Sequence, residues 1–403
     1  MFYLGIDVAK ASSRFVVIDN EGEKAAQPFS LPNNKESFAK FEAKLKELNL
    51  NPENLLTGIE ATGNLWENIY SYLTEKKFKV IVLNPHQTNK FREALRFKAK
   101  TDDIDAYVIA GLLRSKDYAS SFIPEDNIQS LREFTKLRYE FLKNKVNYER
   151  QTLSLLALVF PEYSKTAIKN PFAIASIAIL KQFPTAKHLA LANPNQIEKI
   201  VRSIKGNNFN TKEIQSLIDT AKDSIYSGRA KVARGLNLTM ILTQIQALID
   251  SISLLDKQIE DILTDDNDGN SLDSNLSTIP GIGPKTIAAV LSALGAEAKS
   301  FSSSGKFIGY IGFYPQIYQS GETKRDNILC NRGPKYLRWA LYVAAVACVR
   351  HNPELRTIYY KKLSQGKAPK QAMLCVAKKI ALMMFSIIKS GKPYDPKRVF
   401  VCC

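Results

Sequence analysis

An α/β N-terminal domain followed by a mainly helical remainder is the fold class that this 403-residue sequence predicts. Three observations carry it. Within residues 1–120, short apolar runs at 2–8, 14–19, 55–60 and 78–83 alternate with helix-period stretches around 35–48, 65–76 and 102–114. Helical periodicity then takes over at 128–160 and again at 238–262. Finally, 45 % apolar and 10 % aromatic residues in a chain of this length supply two or three separate cores. The expected division is an α/β domain at 1–120, a helical and coiled-coil domain at 121–270 and a basic, mainly helical domain at 271–403. Asn33 is the expected cap of the first helix.

The stretch Lys100-Thr101-Asp102-Asp103-Ile104-Asp105-Ala106 puts three carboxylates into four residues at a predicted helix start. Asp102 and Asp105 stand three apart and share a helix face, whereas Asp103 is expected to point elsewhere. Acids in a first turn also suit the positive end of the helix dipole, so capping alone would explain them. Asp7 and Glu60 tip the balance. Asp7 closes the apolar run Phe2-Tyr3-Leu4-Gly5-Ile6, and Glu60 closes Leu55-Leu56-Thr57-Gly58-Ile59. Both runs read as strands buried on both faces, where an acid is costly unless paired. Two such acids, with two more on a nearby helix, make a hard-oxygen cage suited to Mg²⁺ or Mn²⁺. The order strand-Asp, strand-Glu, helix-Asp-x-x-Asp resembles the ribonuclease H and RuvC type of nuclease core. A two-metal site of that kind clamps the attacking and leaving oxygens of a phosphodiester.

Charge is placed unevenly within a formal net +17. Residues 1–120 hold 17 Lys and Arg against 16 Asp and Glu, and residues 121–270 hold 19 against 17. Residues 271–403 hold 20 against 6, and so one-sided a distribution favours a polyanion partner. No apolar run reaches the length of a membrane span, and no basic-then-apolar segment opens the chain. A cytoplasmic protein without a membrane partner is expected. The five cysteines (Cys330, Cys348, Cys375, Cys402 and Cys403) are odd in number and lack C-x-x-C spacing, which argues against zinc and against a disulfide framework. His86, His188 and His351 are scattered, so a mechanism built on a Ser-His pair has little support.

Between the α/β domain and the basic end, Leu238, Ile241, Ile245, Leu248, Ile252, Leu255, Ile259 and Ile262 recur at spacings of three and four. That is a heptad seam whose partner is either the helix at 128–160 or a second subunit. Residues 265–274, rich in Asp, Asn, Gly and Ser, read as a linker. Asn84-Pro85 ends the last strand of the first domain, and the loop 87–99 beyond it carries Lys90, Arg92, Arg96 and Lys98. Such a basic loop either holds phosphate near the acids or only offsets their mutual repulsion. In the last third, Ile279-Pro280-Gly281-Ile282-Gly283-Pro284-Lys285 runs into a helix and resembles a helix-hairpin-helix DNA-binding turn, which offers backbone N–H groups to phosphate. Gln319-Ser320-Gly321 follows, in a basic stretch with Lys324, Arg325, Arg332, Lys335 and Arg338.

Taken together, Gly5-Ile6-Asp7-Val8-Ala9-Lys10, Gly58-Ile59-Glu60-Ala61-Thr62-Gly63, the 100–106 stretch, Ile279–Gly283, Gly312-Phe313-Tyr314-Pro315, Gln319-Ser320-Gly321 and Asn331-Arg332-Gly333-Pro334-Lys335-Tyr336-Leu337-Arg338 resemble the DEDD-type insertion-sequence transposases of the family numbered one hundred and ten. Gln316 stands where that family usually has Arg, and Ser320 is followed by one Gly where many members have two. The resemblance implies a RuvC-like domain with a metal site on Asp7, Glu60, Asp102 and Asp105, and a C-terminal domain with Ser320 as nucleophile. It implies Mg²⁺ (or Mn²⁺) as cofactor and DNA, at element ends and target, as substrate. It further implies a structured guide RNA in some members. Because Ser320 lies so far along the chain from Asp105, the two halves must be brought together, and a homo-oligomer, dimer or tetramer, assembled through the coiled coil is the expected device. Nucleic-acid contacts are expected at Lys10, Arg96, Lys100, Gly281, Gly283, Lys285, Gly321, Lys324, Arg325, Arg332, Lys335 and Arg338. Serine hydroxyl is a poor nucleophile near neutral pH and needs a base or a metal, and the four carboxylates provide the means. Two rivals stay open: a RuvC-like Holliday-junction resolvase using water with Ser320 inert, and a non-catalytic nucleic-acid-binding protein with a structural acidic cluster.

Overall fold

Strand β1 (Phe2–Val8) is buried through Tyr3, Leu4, Gly5 and Ile6, and the first part of the chain is stacked on its two faces. The structure, a computed structural model, describes every residue except Lys98, Lys100, Phe122, Ala167, Lys169, 205–208, 265–274, 296–297, 299–300, 317–318, 321–322, 325–327, 331–332 and 399–403. The chain divides into two compact units, Met1–Pro124 and Glu125–Cys403.

In the first unit, β2 (Ser12–Ile18), β3 (Phe29–Pro32), β4 (Leu55–Glu60) and β5 (Lys79–Leu83) join β1 in one sheet of order β3-β2-β1-β4-β5. The pairs β1–β2 and β2–β3 are antiparallel, whereas β1–β4 and β4–β5 are parallel. Alternation along β1 sends Leu4 and Ile6 to one face and Tyr3 to the other. Helices α1 (Lys35–Glu47) and α2 (Trp66–Glu75) cover the first face, with Phe41, Leu45, Ile69 and Leu73 packed on Leu4, Ile6, Phe15 and Ile59. After α3 (Pro85–Ala94), helix α4 (Asp102–Ser115) covers the second face with Ala106, Ile109, Ala110 and Leu113 against Tyr3, Val16, Ile18 and Leu56.

Two glycines let α4 lie directly on the strands. Gly5 and Gly58 are register partners in β1 and β4. A Cβ at Gly5 would stand 1.9 Å from the Ala106 carbonyl oxygen, and one at Gly58 would stand 2.8 Å from Leu113 Cδ1. Backbone cannot yield as a leucine tip can. Gly5→Ala is therefore expected to destabilise this unit by about 3 kcal/mol, more than Gly58→Ala does, as calorimetric melting of the two variants would measure.

Three local readings are corrected by the structure. The cap of α1 is Asn34, whose side chain accepts the Ser37 N–H at 2.9 Å. Asn33 instead accepts from Ser13 Oγ at 2.7 Å and donates to the Ala9 carbonyl at 2.6 Å. The expected loop 87–99 is largely helix: Asn84 caps α3 by accepting the His86 N–H, and Pro85 occupies the first turn, where its missing N–H costs nothing. Edge strand β3 was not expected, because Phe29-Ser30-Leu31-Pro32 is only 4 residues long and ends in proline.

The second unit is built on two 34-residue helices, α5 (Asp126–Val159) and, after α6 (Ile174–Gln182), α7 (Ala186–Ala190), α8 (Pro194–Arg202) and α9 (Thr211–Lys222), helix α10 (Lys231–Thr264). They run antiparallel. Leu156 and Val159 share a core with Leu238, Leu242, Ile245 and the α6–α9 helices, while Ile128 and Leu131 share a second core with Ile259 and Leu263. Arg138 of α5 is ion-paired with Asp256 of α10. The α10 seam thus finds a partner helix within its own chain. Its buried positions are Leu238, Leu242, Ile245, Ile252, Leu255, Ile259 and Leu263, with Leu242 and Leu263 taking the places expected for Ile241 and Ile262. An isolated carboxylate in that seam has no partner. Ile245→Asp should lower the melting temperature of the folded chain sharply with its mass in sedimentation unchanged, a loss of about 3 kcal/mol or more.

The second core continues through α11 (Pro284–Leu294), α12 (Ser304–Ile311), α13 (Lys335–His351), α14 (Pro353–Ser364) and α15 (Pro369–Ser390). Between α12 and α13 the chain makes short strands β6 (Pro315–Gln316), β7 (Gln319–Ser320), β8 (Thr323–Lys324) and β9 (Ile328–Leu329). Contrary to the reading of the apolar runs, α10 and α15 are long and apolar enough, by length and composition, to cross a membrane. Interleaved Thr, Gln and Lys hide this from a search for uninterrupted runs. One side of α10 packs on α5, and α15 is built into the second core.

Candidate active site

Parallel pairing sets the strand acids side by side. Ile6 of β1 is in register with Ile59 of β4, so the following residues, Asp7 and Glu60, close neighbouring strands at the same sheet end. Both are half-buried, and both alternate onto the face of Gly5 and Gly58, the face that α4 covers. The start of α4 stands over this end. Ala106 rests on Gly5, and one turn earlier Asp103 reaches Arg14, the residue that pairs with Asp7 across β1–β2. The helix begins there because Thr101 accepts the Ile104 N–H and the acids of its first turn, Asp102, Asp103 and Asp105, complement the helix dipole. Capping and a site are therefore compatible explanations of the same residues.

Glu60, Asp103 and Asp105 each have polar partners. Glu60 accepts from Thr62 Oγ1 through one carboxylate oxygen and from the buried Thr88 Oγ1 of α3 through the other, each at 2.5 Å. Asp105 pairs with Arg92 of α3 at 3.0 Å. The Arg14 guanidinium holds the Asp103 carboxyl below the usual carboxylate range. Asp103 was expected to stand apart, yet its ion pair ties it to the strand residue opposite Asp7. The separation of roles among the three helix acids lies instead in their partners: Arg14 for Asp103, Arg92 for Asp105. Asp102 is exposed.

Among the described residues no three acids converge closely enough to hold a metal ion. The chemistry of the donors suits a hard divalent cation, since Asp7 and Glu60 at the sheet end and Asp102 and Asp105 in the first turn of α4 offer only carboxylate oxygens. The guanidinium groups of Arg14 and Arg92 balance the charge of Asp103 and Asp105 respectively. Sequence reading missed Arg14 and Thr88 because only the sheet and α3 bring them to the acids; Thr62 stands two residues from Glu60 in a motif already singled out but was given no role, and Arg92 was counted, but as loop charge.

Ser320 lies in the second unit. Tyr314 and Cys330 are joined by a backbone hydrogen bond of 2.9 Å, and β6 pairs with β9 immediately beyond. Further out β7 pairs with β8, Ser320 opposite Thr323 and Gln319 opposite Lys324. The serine thus ends strand β7 of a β excursion between two helices. Gly321, Arg325, Arg332 and Lys100 fall outside the described residues.

The other expected nucleic-acid contacts divide into exposed and engaged groups. Lys10, in the β1–β2 turn, Arg96, left-handed at φ 59°, and Lys335, in the first turn of α13, are exposed. Lys285 is held by Glu260 at 2.5 Å, and Arg338 donates to the carbonyls of Ile311 and Gly333 at 3.1 Å. Gly281 has φ +90°, and a Cβ there would meet Cys348 Cα at 2.9 Å, so packing against α13 already requires this glycine. Gly283 caps α11 with open space where a Cβ would stand.

The order of these pieces along the chain agrees with known proteins. Residues 4–161 match the DEDD transposase family of IS110, and residues 273–360 match the transposase IS116/IS110/IS902 family. The chain is 23 % identical over 398 residues to the pilin gene-inverting protein of Moraxella bovis, which covers 98 % of each. It is 21 % identical over 404 residues to the 43.6 kDa protein of insertion element IS110 from Streptomyces coelicolor, covering 98 % of this chain and 96 % of that one. The 44.8 kDa protein of insertion element IS116 from Streptomyces clavuligerus is 20 % identical over 395 residues, again 98 % and 96 % of the two. Acids, serine segment and full-length similarity occur in one order on one chain, and the protein belongs to the IS110 family of DEDD transposases.

Proposed function

We propose that this protein is a DNA recombinase that excises and inserts its element by cleavage at Ser320, with Asp7, Glu60, Asp102 and Asp105 holding Mg²⁺ or Mn²⁺. The observation that carries the proposal is the Gly5–Gly58 seat, which brings the first turn of α4 onto the sheet end where Asp7 and Glu60 lie. A divalent cation bound by those carboxylates would neutralise charge at the scissile phosphate and favour the ionised hydroxyl. Ser320 Oγ would attack phosphorus as a phosphorus–oxygen bond of the strand breaks, leaving protein and DNA joined as a phosphoserine ester. Such a linkage conserves bond energy for religation to a new partner. A relative named as a gene-inverting protein supports strand exchange over simple hydrolysis, since inversion requires rejoining. The 20 basic against 6 acidic residues of 271–403 support a polyanion such as DNA as partner, while a structured guide RNA comes only from the family resemblance; the cytoplasm is the proposed location. Assembly into a homo-oligomer, as one way for Ser320 to meet the carboxylates, stays part of the proposal.

The test is excision and insertion of a plasmid-borne element with its flanking non-coding DNA. Recombination is expected with Mg²⁺ or Mn²⁺, none with EDTA, and none when the flanking stretch is deleted. Recombination in EDTA would remove the metal from the mechanism. Recombination without the flanking stretch would remove the RNA.

A further inference from the structure

Helix α15 carries a lysine where its burial pattern otherwise admits apolar side chains. Lys379 is only 6 % exposed, flanked by Ala377, Ile380 and Ala381 at 0 %. Among the described residues no carboxylate is ion-paired with it and no acceptor takes its ammonium group. Its stem is buried, but its ammonium group is not among the buried unpartnered polar atoms, so the charge reaches the water of the cavity it lines, where an anion can meet it.

Lys379 lines a half-enclosed cavity of about 260 Å³. One wall is a face of α15, with Met383, Ser386 and Ser390 recurring after Lys379 at helical spacing. The other wall is the segment after α15, with Lys392, Tyr394 and Arg398. That segment is pinned in place. The Tyr394 N–H donates to Thr278 Oγ1 at 2.9 Å, its hydroxyl bonds Asn352 Nδ2 at 3.0 Å and Glu354 at 3.2 Å, and Asn275 Nδ2 donates to the Gly391 carbonyl at 3.2 Å. Asp395 is the one carboxylate in the lining, and Arg398 pairs with it at 3.5 Å. Three cations against one acid leave the cavity positive. Much of its wall is nevertheless apolar, through Leu382, Met383 and Ile387.

We propose that this cavity seats one nucleotide of a nucleic-acid strand. Its phosphodiester would be held by Lys379 from within and by Lys392 and Arg398 at the mouth, and its sugar and base would lie against Met383 and Tyr394. A bare phosphate would satisfy the lysine but leave the apolar wall wet. A nucleotide uses both. The identity of the strand rests on the recombinase reading; the cavity and its charge do not.

The test is anisotropy of a fluorescein-labelled 20-nucleotide single-stranded DNA with the full chain, in EDTA, over a series of salt concentrations. Lys379→Met is expected to weaken binding on the order of tenfold and to flatten the log–log salt slope by about 0.7. Its melting temperature without DNA should stay close to that of the wild type, because methionine keeps the buried stem. Lys379→Arg should recover part of the slope. Lys392→Gln with Arg398→Gln, on the exposed segment, should weaken binding likewise without touching the core. Wild-type affinity and slope in Lys379→Met would overturn the proposal. So would equal losses in Lys361→Met, an exposed lysine of α14, since any surface charge would then do. Inorganic phosphate that raises the melting temperature of the wild type only, with oligonucleotide binding unaltered in Lys379→Met, would reduce the cavity to a free-anion site and overturn it too. A wild-type chain that binds no oligonucleotide would sink this proposal and the recombinase reading together, whereas failure of the variants alone leaves that reading intact.

Discussion

Asp7→Asn and Glu60→Gln are each expected to reduce recombination by about 10³-fold or more, with the fold and the binding of nucleic acid retained. Loss of one cation ligand removes several kcal/mol of charge stabilisation at the phosphate, which sets that scale. Folding should tolerate the change, because each residue is half-buried and neighbouring acids remain to pair with Arg14 and Arg92. Asp102→Asn and Asp105→Asn should match them. Asp103→Asn tests the ion pairs more finely. It frees Arg14 beside Asp7, where a guanidinium competes with a cation, so the expected outcome is a raised Mg²⁺ requirement with most of the maximal rate kept. Circular dichroism and a Mg²⁺ titration of the excision rate would check all five. If Asp103→Asn were as inactive as Asp105→Asn at saturating Mg²⁺, both acids would belong to the ligand set.

The fold was legible where pattern and chemistry coincide. Gly-Ile-Asp and Gly-Ile-Glu closing two apolar runs mark β1 and β4, and those glycines prove to be the register pair under α4. The Asp-x-x-Asp start of α4 follows from the capping Thr101 and the acids behind it. Residues whose meaning depends on the third dimension were not legible. Arg14 and Asp103 lie 89 positions apart, and Thr88 and Glu60 lie 28 apart, so no local pattern joins them. Helix α3 was lost because Asn84-Pro85 signals the end of a strand and the start of a helix equally well, and basic side chains suggested a loop. The α10 seam was right in period but shifted by one residue at Leu242 and Leu263, since Ile-Leu pairs at 241–242 and 262–263 offer either phase. What decided the phase was α5, a partner more than 70 residues away.

Ser320→Ala is expected to abolish both recombination and the covalent protein–DNA adduct, and it separates this mechanism from a water-using resolvase. A carboxylate-bound metal pair can cleave DNA with water alone, so the acids say nothing of the nucleophile. The serine hydroxyl is inert without activation, and none of His86, His188 and His351 neighbours it in sequence. If Ser320 attacks phosphorus, denaturing gels of the wild type with Mg²⁺ should show protein attached to a cleaved DNA end. The adduct should vanish in Ser320→Ala, and equally in Asp7→Asn, because attack and activation are both required. Loss should be about 10⁴-fold or greater, the scale on which removing a covalent nucleophile acts. Ser320→Cys should keep at most a trace, since a thiolate is nucleophilic but suits a hard cation poorly. Folding is not at stake in these variants: Ser320 pairs with Thr323 through the backbone, which Ala and Cys preserve. DNA cleavage by Ser320→Ala at the wild-type rate, with no adduct in either protein, would transfer the role of nucleophile to water and leave the serine hairpin as a DNA-holding element.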